Sequence, residues 1–234
     1  MATRYSPSIV TNGLVLALDV ANRKSYFSGS SNFFDLSENA NNGTFPNGIG
    51  FNSSNGGNLT FNGTNQYVSC GTGLSQAGSF SISCWFKRTG IQPSNGGVIC
   101  GRSAGPSGYE QNYLLSVSAS ASPVIIFSQS SDSYKSIKAT TILTNNSWYY
   151  TTGTYNTNTN TLNVYVNTVL ESTGALVTDP PTTGPQSFLV GASDGTSPAN
   201  WFTGSVSIVT VYNRVLSLSE IQQNYNATKN RFGL

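Results

Sequence analysis

The stretch Trp201-Phe-Thr-Gly-Ser-Val-Ser-Ile-Val-Thr-Val-Tyr212-Asn-Arg-Val-Leu-Ser217-Leu-Ser-Glu220-Ile-Gln-Gln-Asn-Tyr225 decides the fold. Val206, Ile208, Thr210 and Tyr212 alternate onto one strand face, and Val209 and Val211 onto the other, so a strand here is apolar on both sides and must be covered on both. Ser217 and Glu220 then stand at capping-box spacing, with Leu216 and Ile221 at the two staple positions. The spacing predicts a short helix directly after the strand, over about residues 217–230.

Outward from this block, short alternating segments recur between turn signals. Leu14, Leu16 and Leu18 share a face, as do Phe80, Ile82, Cys84 and Phe86, then Tyr113, Leu115 and Val117, then Leu162, Val164 and Val166. Asn-Gly pairs at Asn12, Asn42, Asn47, Asn55, Asn62 and Asn95 punctuate them, where a left-handed backbone is easily adopted. Residues 150–155, 156–160 and 161–166 read as strand, turn and strand. No helical period precedes Ser217. This pattern predicts an all-β, two-sheet antiparallel jelly-roll sandwich with a short C-terminal helix. Pro180-Pro181 and Gly184-Pro185 mark a loop and not a linker, so residues 1–234 are expected to form one domain. The segments Leu14–Asp19 and Val206–Tyr212 are expected to pair, because each would otherwise leave an apolar sheet edge exposed.

Residues 201–225 closely resemble the last strand and helix of the laminin-G-like, concanavalin A-like lectin/glucanase sandwich. Gly13-Leu-Val-Leu-Ala-Leu-Asp19 is similar to that family's opening strand, Asp35 through Thr44 to its following turn, and Phe61-Asn-Gly-Thr-Asn-Gln-Tyr-Val68 to its next strand. The hairpin over 150–166 resembles the family's central one, with Asn167-Thr168 where Asn-Gly is usual. Ser207 and Ile208 occupy positions that are usually acidic in the family, and Asn62 and Asn65 occupy positions that are usually Asp. The combination also resembles modules in structural proteins of tailed bacteriophages. That resemblance implies a non-catalytic virion component, decorating a capsid or forming the surface of a tail or fibre.

Composition narrows the function. Only 9% of residues are charged, against 37% hydrophobic and 12% aromatic, so Asn, Ser, Thr and Gly supply much of the surface. A net charge of +2 with scattered basic residues is too small to argue for nucleic acid or anionic membrane, so neither nucleic acid nor membrane insertion is expected. The N-terminal Met-Ala-Thr-Arg-Tyr-Ser-Pro has no apolar signal core, and no run approaches membrane-spanning length. Synthesis in a host bacterial cytoplasm is expected, with the virion surface as destination. Cys70, Cys84 and Cys100 are odd in number and lack metal spacing, so buried thiols are expected.

The chemistry-bearing residue types are sparse. Histidine is absent, which removes the commonest general base. Glycoside hydrolysis needs two carboxylates on one face, and the nine acids are dispersed, so a hydrolase ranks third and no enzyme is expected. Family resemblance raises calcium, for which Asp132 and Asp194 are the candidate ligands. No second acid lies near either, so Asx turns are the default and no cofactor is expected. Tyr109, Tyr134 and Trp201, with Asp194 and Asn200, lie among Gly, Asn and Ser, the mixture that stacks on and hydrogen-bonds to sugar rings. For Trp201 the competing reading is a core plug. Two functions follow from the sequence: a virion surface component, in contact with other capsid or tail proteins and with its own copies, and a lectin module acting in adhesion to glycans.

Overall fold

The computed structural model describes residues 8–103, 113–130, 133–175, 186–194 and 198–234. In chain order the strands are β1 (Leu14–Asp19), β2 (Asn32–Phe33), β3 (Gly43–Thr44), β4 (Gly50–Asn52), β5 (Asn58–Asn62) and β6 (Val68–Ser69). There follow β7 (Phe80–Arg88), β8 (Gly97–Arg102), β9 (Tyr113–Val117), β10 (Pro123–Ser130) and β11 (Ser133–Lys138). The last are β12 (Tyr149–Asn156), β13 (Thr161–Val166), β14 (Val169–Ala175), β15 (Phe188–Val190) and β16 (Thr203–Tyr212), and helix α1 (Leu218–Thr228) comes after them. They build two antiparallel sheets. The first runs β14-β13-β12-β7-β16-β5-β4 with β1 also on β16, and the second runs β11-β10-β9-β8-β15-β6-β3-β2.

The expected pairing of the two ends is present: Leu16 lies opposite Val211, Leu18 opposite Val209 and Asp19 opposite Ile208. β16 is long enough to take β5 beside its first half and β1 beside its second, with β7 along its other flank.

The face assignment from simple alternation fails at one residue. Against β7, Val206 pairs with Phe86 and Ile208 with Trp85, so Ser207 is inserted as a bulge. Val206 therefore joins Val209 and Val211 in the core between the sheets, while Ile208 and Tyr212 face outward beneath α1. The bulged serine is well held: its Oγ donates to the Gly57 carbonyl at 2.7 Å and accepts from Arg231 at 2.9 Å. A second register shift, between Leu14 and Leu16, separates Leu14 from its expected companions. Leu16 and Leu18 enter the core, whereas Leu14 packs outward with Tyr212.

The other inward sets stand as read. Phe80, Ile82, Cys84 and Phe86 from β7 meet Tyr113, Leu115 and Val117 from β9, and Leu162, Val164 and Val166 from β13 join the same core. Cys70, Cys84 and Cys100 are buried free thiols there. Burial pushes the Cys70 and Cys84 thiols up, disfavouring their thiolates.

α1 and the 3₁₀ turn Lys229–Phe232 cover the outer face of the first sheet. The capping box forms: Ser217 Oγ accepts from the Glu220 amide at 3.3 Å, and Glu220 accepts from the Ser217 amide at 2.8 Å. Trp85, fully buried, stacks on Phe232 at 4.1 Å and on Tyr225 at 5.4 Å, and its Nε1 donates to Thr228 at 2.8 Å. Truncating such an aromatic costs about 3–5 kcal/mol against about 1 kcal/mol for an N-cap, so the stack anchors the cover and the cap trims its end. Arg231 completes the attachment with two bonds to Asp19, at 2.8 and 3.0 Å.

Arg214 donates to both oxygens of Glu220 and, with the Ser217 bonds, brings its carboxyl from the ordinary 4.5 down to about 2. A lowered pKa stabilises the fold above pH 4.5, and that contribution disappears as the pH falls from there toward 2. Glu220→Gln keeps a cap acceptor and removes the charge. Its melting temperature should sit below the parent's at neutral pH, by less than about 1 kcal/mol equivalent because both partners are part-exposed, and should converge on it toward pH 2. At the β13–β14 turn, Asn167 and Thr168 have φ of +46° and +74°. A β-branched residue is disfavoured there, so Thr168→Gly should stabilise by about 1 kcal/mol, read as a higher melting temperature.

Candidate functional site

With α1 filling the outer face of the first sheet, the outer face of the second is the surface to consider. Residues directly opposite in neighbouring strands point to the same side. Lys138 pairs with Val124, Val124 with Ser116 and Ser116 with Val98, which sets one row across β11, β10, β9 and β8. Its far end is Asn200, whose carbonyl accepts from the Val98 amide at 2.8 Å. At the usual strand spacing the row is roughly 19 Å long.

A hollow of about 260 Å³ opens at the Lys138 end. Its buried floor is Ser116, Val124 and Gly96, and its exposed rim carries Ser94, Asn95, Ala119, Ser136 and Lys138. The rim comes from two turns and an edge strand. Pro93–Gly96 closes by a bond from the Gly96 amide to the Pro93 carbonyl, and Ser118–Ser122 by bonds in both directions, with Ala121 at φ +64°. Hydroxyl and amide groups therefore surround a small apolar patch.

At the Asn200 end stands Trp201, half-buried, with its ring 5.9 Å from that of Tyr67 and tilted by 52°. The plug beneath the last strand is its neighbour Phe202, fully buried against Phe61 and Phe86. Trp201 thus keeps an accessible surface. Asn200, at φ +50°, donates to Ser193 at 3.3 Å, and the Ser193–Ala199 bridge brings Asp194 into the same loop.

Asp194 has a different task from the one its position suggests. Its carboxylate accepts from the Ser187 amide at 2.5 Å and lies in the field of the buried Arg102, whose Nε donates to the Gln186 carbonyl at 2.9 Å. Burial lowers the Arg102 pKa, while Tyr113 and Asp194 oppose that shift. The pair fastens the strand β15 entrance to β8. Among the described residues no three His, Cys, Asp or Glu side chains come together as a metal site. Tyr109 and Asp132 lie outside the described residues. Tyr134 lies in β11 opposite Ser128, two positions from the rim residue Ser136.

The structure thus places Asp194, Asn200 and Trp201 on one loop, with the Asp194 carboxylate engaged by Ser187 and the Trp201 ring beside Tyr67. It adds Tyr67, Ser94, Ser116, Ser136 and Lys138, which carry no local sequence signal because sheet register alone assembles them. The other described acids are mostly committed. Asp19 binds Arg231, Asp35 accepts from Ala17, Ser37 and Asn41, Glu171 accepts from Thr140 and Thr141, and Glu220 binds Arg214.

The family profile described as the concanavalin A-like lectin/glucanases superfamily matches residues 62–222. Among solved structures, the binding domain of Paraclostridial Mosquitocidal Protein 1 is 14% identical over 92% of this chain and 52% of that one, with a TM-score of 0.71. Domain 4 of AbnA, a GH43 extracellular arabinanase from Geobacillus stearothermophilus solved with arabinotriose, is 17% identical over 92% and 99%, with a TM-score of 0.69. The binding domain of Botulinum Neurotoxin DC in complex with SialylT is 13% identical over 93% and 52%, with a TM-score of 0.68. The chain spans about half the length of these toxin domains and nearly all of the arabinanase domain. At such identities the likeness is one of fold. A search of curated protein sequences found no match.

Proposed function

The chain belongs to the concanavalin A-like lectin/glucanases superfamily, and on that premise we propose that it is a non-catalytic carbohydrate-binding module whose ligand lies along the outer face of the second sheet. The observation that carries this reading is the single cross-strand row with a hydroxyl-rich hollow at one end and Trp201 beside Tyr67 at the other. Sugars present hydroxyls around an apolar ring face, so they need both kinds of surface. A row of roughly 19 Å suits an oligosaccharide better than a single ring. Solved relatives in fold include an arabinanase domain with arabinotriose and a toxin binding domain with SialylT, which supports the same class of ligand.

The non-catalytic part rests on how the acids are used. Among the described residues Asp19, Asp35, Glu171, Asp194 and Glu220 each hold structural donors, which leaves Glu38 as the one described acid outside such a bond, and histidine is absent from the sequence, so no imidazole base is provided for hydrolysis. No metal or other cofactor is part of the proposal.

Glycan binding takes the lead over the virion role that heads the sequence reading, because the site geometry speaks to sugars and the chain is similar in fold to two toxin binding domains and to an arabinanase domain solved with arabinotriose. Display on a tailed-phage virion stands beside it as the setting. A chain with only 9% charged residues has few charges to desolvate on docking against capsid or tail proteins or its own copies. Weak sites would then act through many copies.

On a glycan array the protein should bind oligosaccharides, and Ala119→Trp, at the exposed rim of the hollow, should abolish binding without changing the melting temperature. Trp201→Ala should lower affinity roughly tenfold, about 1.4 kcal/mol. Retained binding in both variants would place the ligand elsewhere. Mass spectrometry of purified particles should find the polypeptide in intact virions. Its recovery only from the soluble lysate would leave a free lectin.

A further inference from the structure

We infer that the hollow over Ser116 and Val124 selects an acidic sugar, one whose ring carries a carboxylate, with Lys138 as its counter-ion. This rests on the glycan reading above and names the ligand class within it. Among the residues that line the hollow Lys138 is the one that bears charge, and the polar remainder are serines and an asparagine. The Lys138 side chain is exposed and makes no ion pair among the described residues, only a long 3.5 Å contact from Nζ to Ser120 Oγ. An ammonium has three donors, so most of its bonding capacity faces the hollow or solvent.

The carboxylate that belongs to the neighbouring segment is held back from this lysine. Thr140 and Thr141 follow Lys138 in the chain, and both oxygens of Glu171 are engaged by them: the Thr141 amide and Thr140 hydroxyl donate to Oε2 at 2.7 and 3.1 Å, and the Thr141 hydroxyl to Oε1 at 2.5 Å. Among the described residues no carboxylate compensates Lys138, so a negative group from outside would meet a cation without an ion-pair partner there. Around it, Ser94, Asn95 and Ser136 offer donors and acceptors for the sugar hydroxyls, and Val124 with Ala119 offers the apolar patch for a ring face. At about 260 Å³ the hollow is below the range of roughly 300–1,000 Å³ that encloses a larger ligand, so it fits one terminal ring, with the rest of the chain running on toward Trp201.

An exposed ion pair is worth a factor of about five at low salt, and salt screens it. The test is calorimetric titration of a glucuronate-terminated disaccharide and its glucose-terminated counterpart, alongside an array carrying both acidic and neutral glycans. The parent protein should bind the acidic sugar about fivefold more tightly at low salt. Lys138→Gln, or high salt, should remove that preference by weakening the acidic sugar more than the neutral one, so that the two affinities converge. Equal affinity for the two sugars, or a preference that survives in Lys138→Gln, overturns the inference. An array that shows neutral ligands alone also overturns it while the glycan reading stands. An array with no ligand of either kind overturns both.

Discussion

One inserted residue sets the layering of this protein. Because Ser207 bulges from β16, the half of the strand that pairs with β5 and the half that pairs with β1 present their apolar sets to the correct sides. Val206, Val209 and Val211 fill the space between the sheets, and Ile208 and Tyr212 seat the C-terminal helix. A strand repeats every two residues, so without the insertion one of these sets would turn to the wrong side. The hydroxyl of Ser207 makes the insertion tolerable by bonding to Gly57 and Arg231. Arg231 in turn reaches Asp19, so the bulge, the tail and the first strand are one connected arrangement.

The helical cover also allots surfaces. Trp85, Tyr225 and Phe232 occupy the outer face of the first sheet, leaving the second sheet as the broad face on which a ligand can lie. Its site is built from residues far apart in the chain. Ser94 precedes β8, Ser116 is in β9, Ser136 in β11, and Trp201 precedes β16. Apart from Trp201, each is unmarked in its own segment, and pairing register supplies the meaning.

That difference explains what could be read in advance. The capping box at Ser217 and Glu220, the 150–166 hairpin and the pairing of β1 with β16 follow from local rules of spacing and burial, and all are present. The bulges at Ser207 and after Leu14 escape such rules, because strict alternation presupposes their absence. Asp194 was legible as a polar loop residue, yet the amide of Ser187 claims it. Trp201 was legible as an aromatic on a turn, and the ambiguity over its burial is resolved by Phe202 taking the core position. Asn62 and Asn65 show why the amides are not idle replacements: Asn62 accepts from the amides of Thr64 and Asn65 and donates to the Asn65 side chain at 2.8 Å. Two carboxylates could not make that last bond, and would repel unless a cation or proton intervened.

The union of β1 with β16 has a kinetic side. Two strands that lie next to each other are separated by almost two hundred residues of chain, from Asp19 to Thr203, and so the closing of the first sheet is among the most non-local contacts available. Loop-closure entropy must be met before such a pairing is rewarded, which makes folding slow relative to a chain of local hairpins. During synthesis β1 stays without its partner until Tyr212 has left the ribosome, with Leu16 and Leu18 still uncovered. The early hairpins can form in order, but the sheet acquires its first strand last. Aggregation through that waiting strand is therefore the hazard that this topology carries, and a low rate of synthesis prolongs it.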